Sequence, residues 1–320
     1  MQSIPDLPLD ILEYVASFNL KTKAALAQSS KSLHQFFQAS LVKDFFNTLL
    51  SHISRGEENA TQKKIASNPK LLLERSTIIT PCGNTIVDVT PLELAYGEDD
   101  LEMCLMLLPF FDQLPNGRQE AINQITERFP EEKESTPPFD FRSLAKAITR
   151  NLHVQDAIEE FREHFKPRVI QRGKHSNIQA LLDAMEVYIN NFERWSSKQC
   201  SLYWCDVVGY LQRMLPACYA QALCQGLFNV TLDNKQLIRD LNFEGEPFYP
   251  FNPFAREGIG FDRGIYSYYT IGFIYKNHGE TAVGTSQRRE LLNLWKTKIA
   301  GLQSLFSSII NILTVQKNKA

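Results

Sequence analysis

The chain has 320 residues, 43% of them hydrophobic, and its 34 basic and 36 acidic side chains leave a formal net charge of −2. That length holds two or more compact units, and the charge balance excludes the clustered basic surface that nucleic acid or an anionic membrane demands. No apolar run reaches the ~18–20 residues of a bilayer span, and the opening MQSIPDLPLD lacks the basic start and cleavage site of a secretory signal.

Residues Ile4 to Leu50 predict short helices. Pro8 suits a first helical turn, where its missing N–H costs nothing, and Ile11, Leu12, Val15 and Phe18 follow on one apolar face. Asn19 and Lys21 mark a break. Thr22 is placed to cap a second helix carrying Ala25 and Leu26, which Ser29 and Ser30 interrupt. A third presents Leu33, Phe36 and Phe37, with Phe45, Phe46, Leu49 and Leu50 after it. Three short helices cannot bury all these side chains among themselves, so apolar surface is expected to remain for a partner. An ordinary helical cap packed on the next domain would share the same Leu-Pro start.

The stretch IPDLPLDILEYVASFNLKTKAALAQSSKSLHQFF resembles an F-box. Leu7, Pro8, Ile11 and Leu12 fall on the family's opening Leu-Pro-x-Glu-Ile-Leu, with Asp10 in the acidic position. Lys31 and Leu33 fall on its later Cys-Lys-x-Trp segment, where Ser30 replaces the Cys and Leu33 the Trp. The resemblance implies a three-helix module over 1–45 that docks on the Skp-type adaptor of an SCF ubiquitin ligase and its cullin core. The residues it assigns to docking are Leu7, Pro8, Ile11, Leu12, Val15, Leu26 and Leu33. Loss of the Trp removes an aromatic anchor of a kind that often dominates an interface.

Residues 83–108 resemble an ankyrin repeat. Thr90, Pro91, Leu92, Leu94 and Ala95 match its first helix, and Gly97, Leu101, Glu102, Leu105 and Leu108 match the turn and second helix. Glu93 stands where the family has a His that ties adjacent loops, and Ile86 to Val89 are expected to lengthen the loop. The preceding LLSHISRGEENATQKKIASNPKLLLE reads as a degenerate copy, and RQEAINQITERFP as half of a third. Generic helical pairs would also produce this pattern. So few repeats rarely fold alone, so the span 46–130 is expected to lean on both of its neighbours.

Glu131 to Pro138 is charged and proline-rich and marks a boundary. Beyond it, 139–320 predicts a helical C-terminal domain with at most a short β-hairpin, so the fold class is mainly α. Helices are expected over FDFRSLAKAITRN, HVQDAIEEFREHFKP, Asn177 to about Trp195, and the stretch carrying Trp204, Val208, Leu211 and Leu215 up to Pro216. Cys82, Cys104, Cys200, Cys205, Cys218 and Cys224 are too sparse for a disulfide scaffold and lack zinc spacing, so they read as buried structural thiols. No metal or cofactor is expected. EPFYPFNPFAREGIGFD, at 246–262, predicts an irregular loop that either packs on its own domain or recognises a target. GIYSYYTIGFIYKNHGETAVG predicts the hairpin, and Thr285 or Ser286 opens a long last helix whose stripe from Leu291 to Leu313 reads as core.

The combination resembles the Legionella-type F-box and ankyrin effectors, through NPKLLLE, TPLELAYGEDDLEMCLMLLP, PFDFRSLAKAI and YWCDVVGYLQRMLPACY. This implies a protein injected by a bacterium into the cytoplasm of a host cell, where it presents an unidentified host protein for ubiquitylation, with catalysis left to the ligase. Two alternatives stay open. One is an enzyme with a site in 140–320, using Cys205 or Asp262 with a distant His; the other is a scaffold that binds no ligase.

Overall fold

The computed structural model describes residues 20–29, 31–130, 138–225, 227–232, 236–239, 242–243, 246–247 and 282–317. Within them the fold is mainly α, with one small mixed sheet. Helix α1 (Leu20–Ser29) folds back on α2 (Lys31–Ser54) as a hairpin whose apolar contact is Ala27, Leu33 and Phe37. An ion pair from Lys23 to Asp44 ties its open end. The stretch 31–54 contains neither Gly nor Pro, so nothing stops it as a helix, and Phe36 and Phe46 lie on one continuous rod. The boundary expected after residue 45 falls inside this helix. The far end of α2 plants Phe46, Leu49, Leu50 and Ile53 in the main core. Gly56, at φ +68, closes the next turn, where any side chain would be strained.

Helix α3 (Glu58–Ser67) stops at Asn68-Pro69, as its sequence predicts, and a 3₁₀ turn, Pro69–Leu73, buries Leu71 and Leu72 but exposes Leu73. Strands β1 (Ser76–Ile79) and β2 (Thr85–Val89) then pair antiparallel. The expectation that Ile86 to Val89 merely lengthen a loop is corrected here: they are strand. Ile86 and Val89 are both fully buried, and burying that pair requires an ordered backbone. Helix α4 (Pro91–Gly97) begins on a full capping box, with Thr90 Oγ1 accepting from Glu93 N and Glu93 Oε2 accepting from Thr90 N. Helices α5 (Leu101–Phe111) and α6 (Gly117–Arg128) complete this layer.

Beyond residue 138 come α7 (Phe141–Arg150), α8 (Val154–His164), β3 (Val169–Ile170), α9 (Ile178–Asn191) and α10 (Ser197–Tyr203). A π-type turn over Trp204–Val208 leads into α11 (Gly209–Arg213), followed by α12 (Ala217–Gln225) and α13 (Leu227–Thr231). Short strands β4 (Asn242–Phe243) and β5 (Glu246–Pro247) pair with each other. The last helix, α14 (Ala282–Lys317), starts three residues before Thr285. The expected hairpin from Gly264 and the aromatic loop beyond Pro247 lie outside the described residues.

Two apolar cores result, one over Phe46–Ile125 and one over Phe141–Leu294. Two elements stitch them together. Strand β3 adds to β2 in parallel, giving the order β1-β2-β3. Helix α14 gives Leu291 and Leu294 to the second core and Leu302, Phe306 and Ile309 to the first. From Leu291 to Ile309 the stripe predicted on this helix packs on core, divided between two centres, while Ile310 is exposed and the Leu313 side chain lies outside the described residues.

Candidate functional site

Of the residues assigned to adaptor docking, Leu7, Pro8, Ile11, Leu12 and Val15 lie outside the described residues. Leu26 is half-buried against the α1–α2 hairpin, and Leu33 is buried within it beside Ala27 and Phe37. The outer faces of the hairpin are polar: Lys21, Gln28, Lys31, His34 and Gln35 are exposed.

The densest polar constellation lies elsewhere, in and around α4 and the turn after it. Glu93 is fully buried and takes both guanidinium nitrogens of Arg75, at 3.0 and 2.6 Å. Arg128 stands 3.8 Å from the same carboxylate and donates to the carbonyls of Asp88 and Val87. Thr90 Oγ1 donates to Gln124, whose amide donates in turn to Leu72 O. Glu93 thus links Arg75, the residue before β1, to α4 and to Arg128 at the end of α6 with charge-assisted bonds.

The turn Gly97–Asp100 then meets the C-terminal half residue by residue. Gly97 O accepts from His175 N at 2.8 Å, and Cys218 Sγ points at Glu98 O at 3.8 Å. Asp99 accepts from Lys174 at 2.7 Å and Ser176 at 2.6 Å. Asp100 holds Arg239 in an ion pair and caps α5 by accepting from Met103 N. One residue on, Leu101 packs at Gly301, and Glu102 pairs with the buried Lys298. Apart from the Met103 cap, each contact reaches at least 75 positions along the chain.

Burial governs the electrostatics here. It would raise the Asp100 carboxyl, but the charges of Arg239 and Lys298 outweigh it and hold Asp100 ionised below its usual range. Burial likewise opposes charge on Lys298, and its neighbours Cys218, Glu102 and Asp100 more than compensate. Glu98 has no such rescue: burial, then the Asp100 charge, keeps its carboxyl protonated well above the normal carboxylate range. His175 is pushed down to about 3 by burial and by Arg128, Lys174 and Arg168, and neither ring nitrogen has a hydrogen-bond partner among the described residues. A Cβ on Gly97 would sit 2.4 Å from the His175 ring. Gly97→Ala is therefore expected to destabilise by about 1–3 kcal/mol through overpacking, measured by urea unfolding, and His175→Ala should recover most of the loss.

Cys82, Cys104 and Cys218 are free thiols that burial drives towards the protonated form, which is not nucleophilic. Cys200 is buried and Cys205 half-buried. His153 and His164 are exposed, while Asp262 and His278 lie outside the described residues. No three His, Cys, Asp or Glu side chains among the described residues converge as a metal site, and no described helix is long and apolar enough to cross a membrane. The arrangement fixes charge and shape between the two halves. Sequence reading matched the Gly97–Asp100 turn but missed its partners, because Lys174, Arg239 and Lys298 carry no local signal.

Comparison with known proteins gives one relative. The chain is 25% identical over 175 residues to an uncharacterized protein of Coxiella burnetii, covering 54% of this chain and 46% of that protein. The chain thus spans about half the length of the curated relative it matches. No family model and no solved structure matches.

Proposed function

We propose that the chain is an adaptor of a bacterial pathogen: its N-terminal F-box docks on the Skp-type subunit of a host SCF ubiquitin ligase, and the rest presents a target protein. The observation that carries this reading is the motif Leu7-Pro8-x-Asp10-Ile11-Leu12, continued in order by Leu26, Lys31 and Leu33. The unbroken helix α2 is what such an adaptor needs. It holds the docking hairpin at one end and is rooted in the main core at the other, so ligase and target would keep a fixed geometry. The relative in Coxiella burnetii, an intracellular pathogen, supports a bacterial origin.

The test is a pull-down of the full chain with purified Skp-type adaptor. Leu7→Ala with Pro8→Ala is expected to weaken binding at least about tenfold, since burying one such side chain is worth ~1.5–3 kcal/mol. Equal capture of the double variant would remove this face from the interface.

A further inference from the structure

Among the described residues, strand β3 is an edge. The sheet runs β1-β2-β3, and β3 meets β2 in parallel at Thr85↔Val169 and Ile86↔Ile170. Arg168 O accepts from Thr85 N at 3.0 Å, and Arg168 N donates to Asn84 Oδ1 at 3.0 Å. In a parallel ladder alternate residues address the neighbouring strand, so residues 168 and 170 face β2 and the N–H and C=O of Val169 face away from it. Such groups form a template for another strand.

The segment is already fixed in place. A Cβ on Gly83 would come within 2.8 Å of Pro167, Ile170 is buried in the core, and Gly173 N donates to Arg128 O at 3.2 Å. A partner strand would therefore meet an ordered backbone and lose little to ordering it. The register also aligns Ile79, Thr85 and Val169 across one face, and Ile79 and Val169 are 71% and 65% exposed. Arg168 and Arg172 bracket the strand, both exposed, and neither guanidinium has an ion-pair partner among the described residues.

We infer that the β3 edge binds an extended acidic peptide segment of a partner protein as a fourth strand, with main-chain bonds at Val169 and carboxylates on Arg168 and Arg172. The charges select this occupant over a second copy of the chain, because two β3 edges would bring four guanidinium groups together. The inference deepens the target-presenting role proposed above by naming the chemistry of the target segment. Its test contains no ligase subunit, so its failure and a failure of adaptor docking are read separately.

The full chain is titrated into a fluorescein-labelled peptide alternating glutamate with valine, followed by anisotropy. Two further probes are a lysine–valine peptide and the glutamate–valine peptide with alternate backbone amides methylated. Val169→Pro deletes the outward N–H without touching the ladder to β2, and Val169→Thr keeps it. Wild type and Val169→Thr are expected to bind the glutamate–valine peptide alike. Val169→Pro, and Arg168→Glu with Arg172→Glu, should each weaken it about tenfold, and the other two probes should not bind. Circular dichroism establishes that each variant is folded. No binding by wild type overturns the inference, as does equal binding of the methylated peptide, which would mean charge attraction alone. Val169→Pro matching Val169→Thr overturns it too. So does wild-type self-association that Val169→Pro abolishes, which would make a second copy the occupant.

Discussion

Asp100→Ala is expected to lower the free energy of unfolding by about 3–5 kcal/mol, a large share of what a domain of ordinary stability possesses. The reason is asymmetry. Arg239 and Asp100 are both almost fully buried, with side chains 7% and 2% exposed, and Lys298 beside them is 2% exposed. Removing the carboxylate leaves two cations inside; among the described residues Lys298 keeps Glu102, and Arg239 keeps Glu58 at 3.6 Å. It also uncaps α5 at Met103 N, worth a further ~1 kcal/mol. Urea denaturation checks the value. Replacing both members, Asp100→Ala with Arg239→Met, is expected to recover a large part of the loss, because no charge is then stranded. A loss below about 1 kcal/mol for Asp100→Ala would mean that the Gly97–Asp100 turn adds little to the joint made by β3 and α14.

The second large effect depends on pH. The folded-state pKa of His175 is pushed down to about 3 from an ordinary 6.5, so the unfolded chain binds this proton more readily than the folded one. Stability from this group is therefore intact above pH ~6.5 and is lost as pH falls towards 3, by about 2 kcal/mol between pH 7 and pH 5. Glu98 works in the other direction. Its pKa is raised, so its contribution is present below the ordinary carboxylate pKa and is lost as pH rises. The raw profile mixes the two, and the difference between wild type and His175→Leu isolates the histidine. Neither ring nitrogen has a partner among the described residues, so the variant should cost little at pH 7 and be the more stable protein near pH 5. Parallel profiles for the two proteins would contradict a buried neutral His175.

What the sequence made legible is local. Thr90 and Pro91 match the start of α4, and Asn68-Pro69 ends α3 where it should. The long apolar stripe of α14 is as readable as any element in the chain. The misreadings came where distant contacts decide. Ile86–Val89 look like surplus loop until β1 is seen to pair with them antiparallel and β3, more than 80 residues away, to add at Thr85 and Ile86. Helix α2 looks like two elements because its apolar residues change partner midway, from the hairpin contact at Leu33 and Phe37 to the main core at Phe46 and Leu49. The buried charges were the least legible. Lys298 sits in an apolar stripe like an error of pattern, and its partner Glu102 lies 196 positions back. Of the residues proposed for docking, Leu7, Pro8, Ile11, Leu12 and Val15 lie outside the described residues, and Leu26 and Leu33 pack within the α1–α2 hairpin.

The most direct measurement of the central claim is calorimetric titration of the purified full chain with a purified Skp-type adaptor. Wild type is expected to bind with one-to-one stoichiometry, Leu7→Ala with Pro8→Ala to lose most of the heat, and Val169→Pro to bind as wild type does, because the β3 edge is proposed to take a target strand and not the ligase. Absence of binding by the folded wild type, or an unchanged isotherm for the Leu7 and Pro8 double variant, would contradict it.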